Sequence, residues 1–184
     1  MKTSLRSLRL AAFLASLLCF ATAGQAGETN TLDEHLESFR PFLGKTWRGE
    51  FKESKPDKPV VDVSRWERAL NGKAIRVLHS VNDGAYGGES LMFWDSEQQK
   101  LRYYYFTTAG FHTSGVITVT EKKIIATEKV TGSANGISEV RSTTEIQADG
   151  TLSTKAEYLD KDGKKAGGRE VVYKEDQKAE VRFK

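Results

Sequence analysis

The residues best suited to binding chemistry lie on two segments joined by Asn71-Gly72. Asn-Gly is the strongest short hairpin signal, because both residues tolerate the positive φ of a tight turn. A two-residue turn fixes the register of the flanking strands and puts six side chains on one face: Ser64, Trp66, Arg68, Ile75, Val77 and His79. Such a mixture of apolar wall and a few polar groups is typical of small-molecule cavities.

The opposite face of this hairpin places Glu67 directly across from Arg76. A pair of opposite charges on a sheet contributes roughly 0.2–1 kcal/mol and is normally exposed. The face with Glu67 is therefore predicted to point outward. The face with His79 is predicted to point into the protein.

The sequence leaves two interpretations open for each of two residues on the inward face, Arg68 and His79. Arg68 either grips a ligand carboxylate or other anion with two parallel hydrogen bonds or reaches water at the rim, because an unpaired charge in an apolar interior is costly. His79 either contacts a ligand or is a hydrogen-bonded residue of the wall.

An aromatic run follows at residues 103–106. Alternation along a strand sends Tyr103 and Tyr105 to one side. These rings are predicted to line the same cavity or, alternatively, only to build the wall.

A second hairpin is predicted at Asp149-Gly150, with Gly150 in the left-handed position of a three-residue turn. This register pairs Val140 with Tyr158 and Arg141 with Glu157. The charged pair again marks the outer face, so Tyr158 is predicted to point inward.

The sequence contains no recognisable catalytic motif. The sequence has no Gly-x-Ser-x-Gly elbow, no His-Glu-x-x-His pair and no phosphate-binding loop leading into a helix. We therefore predict no catalytic residue, no metal site and no cofactor.

The candidate ligand-binding residues are predicted to be positioned by a series of β-strands. From Lys45 onward the sequence has the two-residue period of side chains that alternate between the faces of a strand. About ten strand-like runs are predicted, near residues 45–53, 59–70, 73–82, 88–95, 100–107, 111–120, 123–131, 137–147, 151–159 and 168–175. A tail at 178–183 extends the last strand or adds another. Short strands in series favour a sandwich or a barrel. Tight turns favour an all-β, antiparallel up-and-down barrel, because closure removes exposed edges.

A short helix is predicted before the strands, over residues 31–39. Thr31 and Glu34 form a capping box. Three apolar residues share a helical stripe, and Pro41 ends the helix; they are Leu32, Leu36 and Phe39.

Residues 1–26 have the pattern of a secretory signal: a basic start, an apolar run and small residues, with cleavage expected after Ala26 or, alternatively, Ala23. The apolar run is too short for a membrane span. Residues 27–184 then form one domain, exported to the periplasm or the extracellular space. It keeps no cysteine, which excludes disulfides. Its 25 basic and 25 acidic residues balance, so no nucleic-acid partner is expected.

The stretch Phe42-Leu43-Gly44-Lys45-Thr46-Trp47-Arg48-Gly49-Glu50 resembles the calycin superfamily, in which Gly and Trp begin the first strand after a short helix. That superfamily includes lipocalins, fatty-acid-binding proteins and nitrobindin-type haem barrels. The stretch is most similar to nitrobindins and to uncharacterised lipocalin-like exported bacterial proteins, and Leu70-Asn71-Gly72-Lys73 and Phe93-Trp94-Asp95 fit the latter. In lipocalins, one residue rather than two separates Gly from Trp.

The resemblance implies a structural role for Trp47, buried near the barrel floor beside the helix. An arginine on the last strand of lipocalins covers this Trp, and Arg182 is the matching candidate. Nitrobindins hold haem iron through a histidine late in the chain, whereas no histidine here follows His112.

Three functions remain at this point. The first is an exported calycin-like barrel that binds a small, partly apolar ligand in its interior. The second is a nitrobindin-like haem protein or enzyme. The third is a structural envelope protein with a filled core and a protein partner in place of a ligand.

Overall fold

The computed structural model of the protein describes residues 31–132 and 135–184. The predicted export signal, residues 1–26, lies outside the described residues, so its cleavage and the resulting 27–184 domain stay predictions. Within the described part of the chain, no helix is both long enough and apolar enough to cross a membrane.

Ten antiparallel strands form one closed barrel. Each strand pairs with the next along the chain, and the last strand pairs with the first, so the predicted all-β up-and-down barrel is confirmed. The strands are β1 (Lys45–Phe51), β2 (Val61–Ala69), β3 (Ala74–Val81), β4 (Tyr86–Asp95), β5 (Lys100–Thr107), β6 (His112–Val119), β7 (Lys123–Thr131), β8 (Ile137–Ile146), β9 (Leu152–Asp160) and β10 (Lys165–Glu175).

Both hairpin registers predicted from turn chemistry are confirmed. Ser64 pairs with His79 across β2 and β3, and Val140 pairs with Tyr158 across β8 and β9. A short 3₁₀ turn, Leu70–Gly72, makes the first connection. A slip of one residue would exchange the inner and outer faces, so these two turns decide which side chains enter the barrel.

The helix before the barrel differs from its prediction. It is a 3₁₀ helix, Glu34–Phe42, with Asp33 rather than Thr31 as the N-cap and with Pro41 inside it. A 3₁₀ helix has three residues per turn, so its buried stripe follows i, i+3 and i+6 instead of the α-helical spacing. The residues on that stripe are Leu36, Phe39 and Phe42, each 0% exposed.

This helix packs against the end of the barrel where β1 begins and β2 ends. The Phe42 ring stacks on the Trp66 ring with centroids 5.4 Å apart, and the Gly44 backbone N–H donates to the Trp66 carbonyl. Trp47 is 1% exposed and belongs to the same apolar cluster. The helix therefore covers one end of the interior.

The tail after β10 neither lengthens that strand nor adds another. The Arg182 backbone N–H donates to Ser80 Oγ on β3 at 3.0 Å. The tail thus lies along the outside of the barrel near the β3–β4 turn.

Candidate ligand-binding cavity

The barrel interior contains a cavity of about 510 Å³, within the range of small-molecule sites. Its walls come from alternate residues of the strands, as the two-residue period requires. The apolar side chains that line it include Trp66, Val77, Met92, Ile117, Ile124 and Ala126, and the polar ones include Ser64, His79, Tyr86, Tyr103, Tyr105, Glu128, Tyr158, Arg169 and Tyr173.

Tyrosine is concentrated in this cavity. The chain has six tyrosines, and the five other than Tyr104 line the cavity. Phenols supply flat apolar rings and a polar tip. The interior is therefore both aromatic and able to form hydrogen bonds.

Five side chains from five strands form one hydrogen-bonded chain along the wall. Tyr86 Oη lies 2.8 Å from Tyr105 Oη, and Tyr105 Oη lies 2.7 Å from His79 Nε2. His79 Nδ1 lies 2.9 Å from Asp62 Oδ1, and the Tyr173 hydroxyl donates to Asp62 Oδ2 at 2.7 Å. The chain satisfies polar groups that would be costly to bury alone.

Two glycines make room for this chain. A Cβ on Gly49 would lie 2.7 Å from Cδ1 of Tyr173, and a Cβ on Gly88 would overlap the Tyr105 ring at Cε2. Any larger residue would displace a phenol from its partner. The glycines thus position the two rings that contact Asp62 and His79.

Arg169 points into the cavity from β10 without a hydrogen bond or ion pair among the described residues. Its Nε is buried and has no partner, and its guanidinium lies 5.8 Å from the centre of the Phe51 ring. Burial lowers the pKa of Arg169, but the tyrosines around it and Asp62 outweigh that effect and hold the pKa above its ordinary value. The cavity therefore contains a permanent positive charge.

Glu128 is the second acidic residue of the wall. The Thr113 hydroxyl donates to its Oε2 at 2.6 Å. Burial raises the pKa of Glu128, against smaller lowering effects from Thr113 and Arg169. Burial likewise raises the pKa of Tyr103 and Tyr105 well above the ordinary range of phenols, so these hydroxyls keep their protons at neutral pH.

Six of the seven predicted ligand-contacting residues line the cavity; they are Ser64, Trp66, His79, Tyr103, Tyr105 and Tyr158. Arg68 does not line it. Arg68 has the inward parity of β2 but lies at the end of the strand, where its Nε donates to the Thr31 carbonyl at 2.6 Å. The rim interpretation of Arg68 therefore agrees with its placement, and the anion interpretation does not.

The structure also corrects the partner of Trp47. The cation over its ring is the Lys45 ammonium, 5.3 Å from the ring centre. Arg182 lies elsewhere, with its guanidinium near Asp83 and Glu180. The reason is that Arg182 falls beyond β10, on a tail that crosses to Ser80, so it cannot occupy the place of a last-strand arginine.

Sequence reasoning missed Arg169 and Asp62, although a signal existed for both. A two-residue turn at Asp162-Gly163 would have paired Arg169 with Ala156, as the structure does. Ala156 lies two residues from Tyr158 on the same strand, so it shares the predicted inward face of Tyr158. Asp62 shares the parity of Ser64 and therefore also points inward.

The haem site that the nitrobindin resemblance implies does not fit the described residues. Both ring nitrogens of His79 are within hydrogen-bond distance of Asp62 and Tyr105. His112 stacks against the exposed Phe106 on the outer face, and His35 stacks on Trp94 beside the helix. None of the three presents a free nitrogen to the cavity.

No protein-family model matches the sequence, and no curated protein matches it. Among solved structures, the chain is similar to Rv2717c from M. tuberculosis, with a TM-score of 0.55 and 14% sequence identity. The match covers 80% of this chain and 100% of that chain. At this identity the likeness shows the fold alone, and that fold fits a calycin-like barrel.

Proposed function

We propose that the protein is an exported barrel of the calycin superfamily that binds a small, partly apolar anion in its interior. Arg169 is the anchor of the anion. The aliphatic and aromatic residues of the cavity receive the apolar part of the ligand. Anchoring the anion is the role that one of the two sequence-based interpretations of Arg68 gives to Arg68.

One observation carries this proposal: a charged guanidinium lies in an otherwise largely apolar cavity without a hydrogen bond or ion pair to any described residue. A buried charge is costly unless it is paired. Two acidic side chains of the same wall, Asp62 and Glu128, interact with Arg169 electrostatically without forming an ion pair with it. Both oxygens of Asp62 already have hydrogen-bond partners, His79 and Tyr173, and Glu128 Oε2 accepts a hydrogen bond from Thr113. An anionic ligand would supply the missing acceptors.

The cavity also favours this function over the structural alternative. An envelope protein with a filled core would have side chains where this barrel has about 510 Å³ of space. The haem alternative lacks a histidine with a free nitrogen in the cavity. The binding function is therefore the one that the residues support best.

Export rests on the sequence of residues 1–26. N-terminal sequencing of the protein from the exported fraction should begin at Gly27, or at Gly24 if cleavage follows Ala23. An exported chain that still starts at Met1 would contradict this part of the proposal.

The anchor is tested by calorimetric titration with decanoic acid and cinnamic acid, each beside its uncharged methyl ester. Arg169→Met should weaken both acids about 10- to 100-fold, the effect of losing hydrogen bonds to a charged group, and should leave the esters within about twofold. Arg68→Met is the matched control, because it removes the same charge outside the cavity and should leave the acids unchanged.

Each remaining outcome overturns part of the proposal. Equal affinity of the acids for wild type and Arg169→Met would remove Arg169 as the anchor. A loss in Arg68→Met alone would return the anchor to the residue expected from sequence. Binding of neither acid and neither ester would contradict the binding function itself.

A further inference from the structure

The hydrogen-bonded chain on the cavity wall has a direction, and Asp62 sets it. A carboxylate only accepts hydrogen bonds. The Tyr173 hydroxyl donates to Oδ2 of Asp62, so the contact at Oδ1 must be a donation from His79 Nδ1–H. When an imidazole in this position is neutral, as imidazole side chains normally are at pH 8, the carboxylate thereby fixes its tautomer.

The rest of the direction follows from that tautomer. With the proton on Nδ1, His79 Nε2 is an acceptor, so the Tyr105 hydroxyl donates to it across 2.7 Å. Tyr105 has then used its only proton, so at the 2.8 Å contact with Tyr86 it accepts. The Tyr86 proton therefore points at Tyr105.

The last member of the chain consequently faces the cavity with lone pairs alone. Tyr86 Oη has Tyr105 as its single partner within residues 31–132 and 135–184. Burial raises the pKa of Tyr86, so the phenol is neutral and keeps its proton. That single proton is already engaged in the hydrogen bond to Tyr105. At this point the wall presents an acceptor and no donor.

The cavity thus offers two unlike polar contacts. Arg169 presents donors and a positive charge, whereas Tyr86 presents an acceptor. Apolar and aromatic side chains such as Phe51 and Val81 belong to the same wall. A simple fatty or aromatic acid would satisfy Arg169 and leave the lone pairs of Tyr86 Oη without a hydrogen-bond donor.

We infer that the ligand is a hydroxylated amphipathic acid, whose carboxylate binds Arg169 and whose hydroxyl donates to Tyr86 Oη. This inference rests on the proposed binding function and adds a second polar group to the ligand. The direction of the wall chain selects a hydroxyl over an ether, because an ether oxygen has no proton to donate.

The test compares decanoic acid with 6-, 8- and 10-hydroxydecanoic acids and their methyl ethers, at pH 8, where imidazole side chains are normally neutral. The series varies the spacing between carboxylate and hydroxyl, so it samples the separation of the two contacts. At least one hydroxy acid should bind about three- to tenfold more tightly than decanoic acid, the size of one neutral hydrogen bond. The matching ether should show no such gain.

Two variants separate this contact from a general preference for polar chains. Tyr86→Phe removes the acceptor and should abolish the gain, whereas Tyr104→Phe, on the outer face, should preserve it. Tyr105→Phe takes away the group that receives the Tyr86 proton. The Tyr86 hydroxyl proton is then free to point into the cavity and to be donated to a ligand oxygen. The affinity of the ether should therefore rise relative to that of the hydroxy acid.

The outcomes distinguish the two levels of the proposal. If decanoic acid binds but no hydroxy acid gains, the inference fails and the anion-binding function stands. A gain that survives Tyr86→Phe, or an ether that stays disfavoured in Tyr105→Phe, also overturns the inference. If none of the acids binds, the proposed function fails first.

Discussion

The interior of this barrel has two regions that bury their side chains on different terms. Beneath the 3₁₀ helix, Leu36, Phe39 and Phe42 are fully buried against an apolar cluster that includes Trp47 and Trp66. Along the cavity wall, the buried groups are a carboxylate, an imidazole, phenols and a guanidinium that forms no hydrogen bond or ion pair within residues 31–132 and 135–184. The first region gains free energy by removing apolar surface from water.

The second region gains far less and depends on every polar contact being made. A satisfied polar network is roughly neutral, whereas a partly satisfied one is destabilising. Such an arrangement is better explained by what it binds than by the stability it contributes. Substitutions under the helix should therefore affect folding, and substitutions in the wall should affect binding at a smaller cost in stability.

The largest effect is expected at Trp47, in the apolar region. Trp47→Ala should lower the free energy of unfolding by about 3–5 kcal/mol, because it leaves a cavity where a large ring was packed. Denaturant unfolding measures this. Arg182→Ala is the matched control for the expected contact with Trp47. It should cost less than about 0.5 kcal/mol, since Arg182 lies near Asp83 on the outside.

A decrease in the free energy of unfolding of less than about 1 kcal/mol in Trp47→Ala would show that the apolar region is not the main source of stability. A large loss in Arg182→Ala would restore the arginine that the lipocalin resemblance placed over Trp47.

An intermediate effect is expected at Tyr173, in the polar wall. Tyr173→Phe removes a donor from the Asp62 carboxylate while keeping the ring, and it should cost about 1.5–3 kcal/mol, the range for hydrogen bonds to charged groups. Tyr104→Phe makes the same chemical change on the outer face and should cost less than about 0.5 kcal/mol. Equal losses in the two variants would mean that the wall network contributes nothing beyond the rings.

The apolar region and the wall were not equally predictable from sequence. Alternation and two turn dipeptides were enough for the strand count, both hairpin registers and the inward placement of Trp66 and His79. The helix was placed one turn too early because its apolar residues repeat every three positions, a period that an α-helical pattern does not detect.

The connected wall could not be read in the same way. The contact between Tyr173 and Asp62 joins residues 111 positions apart, across the closure of the barrel between β10 and β1. No local pattern encodes such a contact, because it depends on ring closure and on the space left by Gly49. Parity predicts which residues point inward, but not which of them meet.

The smallest effect is expected at Glu128, and it depends on pH. Burial raises the pKa of Glu128 above its ordinary value of 4.5, so the folded state holds this proton more tightly than the unfolded state does. The stability from that proton is fully present below about pH 4.5 and is lost as the pH rises through the folded-state pKa.

Glu128→Gln does not titrate and keeps an oxygen that accepts from Thr113. The variant should therefore match the wild type near pH 4 and become the more stable of the two as the pH is raised to 7. Denaturant unfolding at a series of pH values measures the difference, with the exposed Glu97→Gln as the control, expected within about 0.5 kcal/mol of the wild type throughout. A constant difference between Glu128→Gln and the wild type at all pH values would show that the wall does not bury this carboxyl group on the terms inferred here.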